Sequence, residues 1–231
     1  MSVHTSDGAV PGAGQGLSDP PGEGALWHPA SVRKPLRRCA KWIFDRVAAA
    51  IAIVVLLPVM ALLAVWVLID DGRPVLFVQR RTGRRGTAFP MLKFRSMVNN
   101  AVELSAGITD DPFGVVKDDP RFTRSGRFMR RTSLDELPQL FNVLIGQMSL
   151  VGPRPDIPEQ VAGYSVSDRR RLAVLPGITG WSQIHGRDEI EWPERIAQDV
   201  WYISNWSFWL DMKIVVAVSY THLTLPTILL V

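Results

Sequence analysis

Residues 47–69 read VAAAIAIVVLLPVMALLAVWVLI, an uncharged apolar run. At about 1.5 Å per residue, a helix of this length covers a hydrocarbon core of about 30 Å. A buried core helix, the other reading of such a run, is usually shorter. The upstream flank carries Arg33, Lys34, Arg37, Arg38, Lys41 and Arg46, and the downstream flank opens with Asp70 and Asp71. That asymmetry places the N-terminal flank in the cytoplasm. A plain crossing would then put everything after Asp70 outside the cytoplasm. Pro58, near the middle of the run, lacks a backbone N–H and clashes with the preceding turn, which favours a kink. A kinked helix could enter and leave by one face, its basic flank on anionic headgroups. The residues by themselves leave a spanning and a re-entrant helix both open.

Outward from this run, 231 residues make room for one domain and an appendage. Lys and Arg number 26 against 22 Asp and Glu, a net charge of +4 that favours anionic partners. Cys39 is the only cysteine, so no internal disulfide forms and a cytosolic main body is expected. Residues 1–30 are rich in Gly, Pro and Ser without apolar periodicity, which predicts a disordered tail. They lack the pattern of a secretory signal. His4, His28, His185 and His222 show no metal-ligand spacing, and neither a Walker A loop nor a GxSxG elbow is present. Any metal is expected to be Mg²⁺ shared between carboxylates and substrate phosphates. The aromatic interleaving of single-stranded nucleic-acid grooves is missing, and the apolar run and the acidic pair also argue against a nucleic-acid partner.

Past the apolar run, PVLFVQRR (74–81) and MLKFRSM (91–97) have strand composition and flank a turn with Gly83 and Gly86, which predicts a hairpin. Residues 98–120 read as a loop with one short helix. Arg124, Arg127, Arg130 and Arg131 recur at helical spacing and gather on one side, as a solvated basic face or an anion site. TSLDELPQLFNVLIGQMSLVGPRP (132–155) then sets Asp135 and Glu136 among apolar residues. Ser133 and Glu136 fit a capping box, or Pro138 opens the helix. Either places both carboxylates near a positive helix end and arginines, favouring the ionised form of a nucleophile or metal ligand. Leu137, Leu140, Phe141 and Leu144 are predicted core. SLVGPRP is a stiff turn presenting Arg154, and LPGITGWSQIHGR is turn-rich and ends in Arg187. Either arginine alone fits a salt bridge, and together they favour a phosphate site.

These motifs, with the basic lead RRCAKWIFDR and DVWYISNWSFWLDMKI near the end, resemble those of bacterial monotopic phosphoglycosyl transferases, the polyprenyl-phosphate glycosyl-1-phosphate transferase family. The resemblance runs from about residue 37 to residue 214. It implies an α/β, membrane-associated enzyme with a re-entrant helix, on the cytoplasmic face of the bacterial inner membrane and among its phospholipids. It further implies a UDP-sugar donor, a polyprenyl (undecaprenyl) phosphate acceptor, Mg²⁺, and a covalent aspartyl phospho-sugar formed with release of UMP. Carried onto this chain, the nucleophile is Asp135, Glu136 positions Mg²⁺ or substrate, and both carboxylates are metal-ligand candidates. Arg130, Arg154 and Arg187 contact phosphate or nucleotide, and Lys93, Arg95, Asp199 and Asp211 fall in matching motifs as further substrate-binding candidates. The expected units are a tail at 1–30, basic flank and membrane helix at 31–72, and a catalytic domain at 73–216. Residues 217–231 form an atypical tail.

The chain departs from the family pattern at Leu57 before Pro58, where Ser is common, at Gln147 for Asp, and at His185 for Asn. Longer family members carry additional membrane helices upstream, so the compact core enzyme is expected. VSYTHLTLPT (218–227) resembles an in-frame sequencing adapter, which makes the last residues an assembly artefact or an apolar tail touching the membrane. The motifs do not fix the sugar, and a homo-oligomer is compatible with them. The competing expectation is a non-enzymatic, membrane-anchored anion-binding or scaffold protein, which would keep ligand affinity after Asp135→Asn.

Overall fold

The computed structural model describes residues 35–101, 103–105, 119–186 and 191–228. The expected N-terminal tail, most of the loop after residue 98 and Arg187 lie outside the described residues. One long helix, α1 (Pro35–Asp71), leads into the hairpin β1 (Leu76–Thr82) and β2 (Ala88–Phe94). There follow α2 (Arg124–Thr132), a 3₁₀ turn (Leu134–Glu136), α3 (Gln139–Ile145), β3 (Ser149–Val151) and α4 (Pro158–Ala162). A further 3₁₀ segment (Asp168–Ala173), β4 (Gly177–Thr179), α5 (Trp181–Ile184), α6 (Trp192–Ser204) and α7 (Phe208–Ile228) complete the described residues. This is a mixed helix and strand domain behind an apolar helix, in keeping with the α/β expectation.

α1 holds Pro58 inside one continuous helix. Its residues divide between two faces. Ala49 joins Phe89, Met91, Leu140, Val143 and Met148 in one core cluster. Met60, Leu63 and Val67 pack with Phe94 and Met129 in another. These positions recur at helical spacing and form one stripe against the domain. The opposite face is bare, with Val54 73% exposed, Leu62 71% and Ile69 80%. Near its start Lys41 pairs with Asp211 of α7 at 2.7 Å, and buried Asp45 accepts from the Ser149 hydroxyl at 2.6 Å.

The hairpin is antiparallel with Phe77 opposite Lys93 and Arg81 opposite Phe89. Its second strand begins three residues earlier than the composition of MLKFRSM predicts, and Ser96–Met97 lie beyond it. The two turn-like stretches SLVGPRP and LPGITGW are in part paired strands: Ser149 aligns with Gly177 and Val151 with Thr179, in parallel. Glycine makes this possible. A Cβ on Gly177 would stand 2.1 Å from the Gly152 nitrogen, and one on Gly180 would stand 2.3 Å from the Gly152 carbonyl oxygen. The two backbones approach closer than any side chain allows.

Leu140 is buried and Leu137 half-buried in the core as expected, but Phe141 and Leu144 are exposed at 37% and 38%. With Ile145 they occupy the side of α3 turned away from Leu140 and Val143, since helical residues one position apart are about 100° apart. Together they form an exposed apolar stripe on α3.

Candidate active site

Asp135 and Glu136 sit in the 3₁₀ turn that follows α2. No capping box forms. Ser133 lies in the left-handed region at φ 55° and closes α2, its N–H reaching the Arg130 and Met129 carbonyls, while its side chain caps nothing. Pro138 directly precedes α3. The turn thus presents two consecutive carboxylates to different surroundings. Asp135 is buried at 5% exposure. Glu136 Oε1 accepts from Lys93 Nζ at 2.8 Å and from Arg154 Nη2 at 2.9 Å, so β2 and the GPRP loop converge on it.

The two acids are driven apart electrostatically. Burial pushes the Asp135 carboxyl above the usual carboxylate range; Lys93, Arg130 and Arg154 pull it back, and the Glu136 charge adds to the rise. Burial also works against the charge on Glu136, yet Arg154 and Lys93 hold it well below that range. The expectation that both surroundings favour ionisation therefore holds for Glu136 and fails for Asp135, where burial outweighs the cations. On Lys93, burial and the neighbouring Arg154 lower the ammonium pKa against the pull of Glu136 and Asp135.

Two cavities meet here. One, of about 390 Å³, runs from the acidic turn along Ala52 and Leu56 of α1. The other, of about 620 Å³, opens along the hairpin past Phe77, Gln79, Arg81 and Lys93. Arg130, Asp135, Arg154 and Arg195 line both. The structure thus gathers Asp135, Glu136, Lys93, Arg130 and Arg154.

The remaining candidates fall elsewhere. Arg95 touches the hairpin cavity, but its guanidinium pairs with Asp71 at 3.0 Å and donates to the Asp71 and Gly72 carbonyls at 2.7 and 2.9 Å, fastening the end of α1. Asp199 and Asp211 line neither cavity. Asp199 pairs with Arg171 at 2.6 Å and accepts from Ser182 at 2.8 Å. Asp211 accepts from Lys41 and Tyr202, each at 2.7 Å, and from the Trp206 indole at 3.1 Å. Of the departures from the family pattern, Gln147 accepts from Asn142 Nδ2 at 2.7 Å, and His185 packs on Trp181 with ring centroids 4.1 Å apart.

Sequence reasoning passed over three arginines. Arg195 of α6 lines both cavities; its signal was its place one turn before Asp199 on the same helix. Arg81 donates to the Pro155 carbonyl at 3.0 Å and sits inside the quoted VQRR. Arg171 is 3% exposed, donates to the Arg154 carbonyl at 3.0 Å and pairs with Asp156 as well as Asp199. It holds the Arg154 loop from behind, and nothing in the run DRRRL separates it from the less buried Arg169 and Arg170.

The chain is 41% identical over 194 residues to the undecaprenyl-phosphate galactose phosphotransferase of Salmonella typhimurium, covering 80% of this chain and 40% of that protein. It is 42% identical over 199 residues to the undecaprenyl-phosphate glucose phosphotransferase of Komagataeibacter xylinus, covering 79% and 36%. Against the exopolysaccharide production protein ExoY of Rhizobium meliloti it is 37% identical over 191 residues, covering 79% and 84%. The chain thus spans about two fifths of the length of the two phosphotransferases. Residues 36–224 match the family described as Bacterial sugar transferase, and the chain belongs to that family.

Proposed function

We propose that this chain transfers a sugar 1-phosphate from a UDP-sugar to polyprenyl phosphate, starting a glycan for exopolysaccharide, capsule or O-antigen. The observation that carries the reading is a buried carboxylate, Asp135, at the junction of two cavities and within the field of Lys93, Arg130 and Arg154. In the first step an Asp135 carboxylate oxygen attacks the phosphorus that bears the sugar, and the bond from that phosphorus to the UMP oxygen breaks. In the second, an oxygen of polyprenyl phosphate attacks the same phosphorus and the Asp135 carboxylate leaves, giving a polyprenyl diphosphate sugar. Fixed cations lower the cost of bringing anion to anion. Glu136, kept ionised, holds Lys93 and Arg154 in place for this.

Among the described residues no three His, Cys, Asp or Glu side chains converge. The adjacent carboxylates of Asp135 and Glu136 suit Mg²⁺ held in part by substrate phosphates. Those two residues would hold the ion, whose charge would favour the ionised form of Asp135 and offset phosphate charge.

The contacts of α1 support a re-entrant placement with the catalytic domain on the cytoplasmic face. From Lys41 to Val67 the helix touches the same domain, a stretch of about 39 Å against a hydrocarbon core of about 30 Å. A helix fastened along its length to one domain keeps both ends beside that domain, which favours placing them on one side of the bilayer. The bare face of α1 is then left to lipid.

Two experiments test the proposal. Purified, detergent-solubilised chain with Mg²⁺ is given a panel of UDP-sugars, with and without polyprenyl phosphate. UMP release that vanishes in Asp135→Asn is expected; no release from any donor by folded protein defeats the transferase reading. For topology, Cys39, and Arg73→Cys in a Cys39→Ser background, are treated with a membrane-impermeant maleimide. Labelling only after permeabilisation is expected at both; labelling of position 73 in intact cells means that α1 spans.

A further inference from the structure

The two cavities share a cationic floor and then diverge, and in-line chemistry gives that shape a meaning. An oxygen that displaces Asp135 from phosphorus approaches from the side opposite Asp135, the position the UMP oxygen has just left. The donor and acceptor phosphates therefore occupy one place in turn, and only what trails from them can differ. We propose that the hairpin cavity takes the nucleoside of the donor, and that the isoprenoid of the acceptor trails along the α1 cavity. This assignment rests on the transferase reading above.

The walls decide which is which. On the α1 side the apolar lining is aliphatic: Ala52, Leu56, Leu140, Ile178 and Val218. It offers no ring to stack a base, and an isoprenoid chain needs none. On the hairpin side Phe77, Gln79 and Arg81 follow one another on one face of β1 by the period of two, and Lys93 stands across from Phe77. A ring with a cation across from it, followed along the strand by an amide and a second cation, suits a pyrimidine base and its phosphates. Phe77 is 44% exposed, a large aromatic that the core does not use. Arg81 is held still: Gln79 Oε1 accepts from its Nε at 3.0 Å and its Nη2 at 2.7 Å, and the Pro155 carbonyl accepts at 3.0 Å. A guanidinium fixed on the same cavity wall, beside the loop that carries Arg154, is suited to a phosphate of the nucleotide. The volume, about 620 Å³, lies within the range of nucleotide-sized sites.

The test uses the full chain in detergent and three readouts. One is the burst of UMP released without acceptor, the second is the KM for polyprenyl phosphate, and the third is calorimetric binding of UMP alone. Phe77→Ala is expected to raise the donor concentration for half-maximal burst about tenfold, to weaken UMP binding by a like factor, and to leave the acceptor KM unchanged. Leu56→Trp, which narrows the other cavity, is expected to raise the acceptor KM and leave the burst and UMP binding alone. Exchanged effects, or a Phe77→Ala protein that melts like wild type and binds UMP as tightly, overturn the assignment. A wild-type chain that shows no burst but binds UMP with Phe77-dependent affinity rejects the transferase reading while keeping the nucleoside site.

Discussion

Replacing Arg171 with Met should unfold this protein more readily than any change at its surface. Arg171 is 3% exposed and lies between Asp156 at 8% and Asp199 at 0%, pairing with both. Methionine fills much of the volume but strands two carboxylates in the interior. Removing one partner of a buried pair costs about 3–5 kcal/mol. For a chain of this size that corresponds to a fall in Tm of roughly 6–20 °C. The assay is thermal melting in one detergent at several pH values. Burial already raises the Asp199 carboxyl against the opposing pull of Arg171, and losing Arg171 raises it further. A carboxyl whose folded pKa lies above its unfolded one loses stability as pH climbs through the folded value. The gap between wild type and variant should therefore be widest at neutral pH and narrow toward about pH 4. Adding Asp199→Asn should recover part of the loss. A Tm within about 2 °C of wild type at neutral pH, or a gap that grows on acidification, would refute the argument.

Asp135→Asn should abolish turnover and yet raise Tm at neutral pH, because the native state no longer confines a carboxylate whose pKa burial has raised; a lower Tm would contradict this. Lys93 is the largest influence opposing that rise, so Lys93→Met should move the acid limb of kcat/KM to higher pH, and a static limb would count against Asp135 as the titrating group. Asn142 accepts from the Leu92 N–H at 3.0 Å and donates to the Pro90 carbonyl at 2.7 Å; Asn142→Ala should cost about 2 kcal/mol in a urea titration. Gly177→Ala should cost about 1–3 kcal/mol by wedging β3 from β4, with activity falling alongside as the Arg154 loop shifts.

The apolar run, the hairpin and the arginine helix were legible in the sequence because each rests on local chemistry: length, turn glycines, helical spacing. The acidic turn was legible as a place, and of its two readings the capping box failed while the helix start at Pro138 held to within one residue, since Ser-x-x-Glu describes a helix start whether or not the backbone enters the left-handed region before it. The β3–β4 pairing was hidden because short strands bracketed by Gly and Pro look like loops until the partner backbone is present. Asp199 and Asp211 carry no local mark to separate a buried ion pair from a substrate contact. The split between Asp135 and Glu136 was out of reach for the same reason: Lys93 lies 43 positions from Glu136 and Arg154 lies 18, and only folding gives both as hydrogen-bond donors to Glu136 while burying Asp135 beside them.

The stripe that α1 lays against two core clusters has a consequence for assembly. Phe89, Met91 and Met148 are closed over by Ala49, and Phe94 and Met129 by Met60, Leu63 and Val67. On the ribosome the helix is made before any of the residues it will cover exist. On the proposed placement the bare half can settle at the bilayer at once, while the other half waits with its apolar stripe unclaimed until the hairpin and α3 emerge. Membrane arrival and completion of the fold would then be successive stages of one event, and a chain that begins after Asp71 would be missing a wall of its interior rather than a tether.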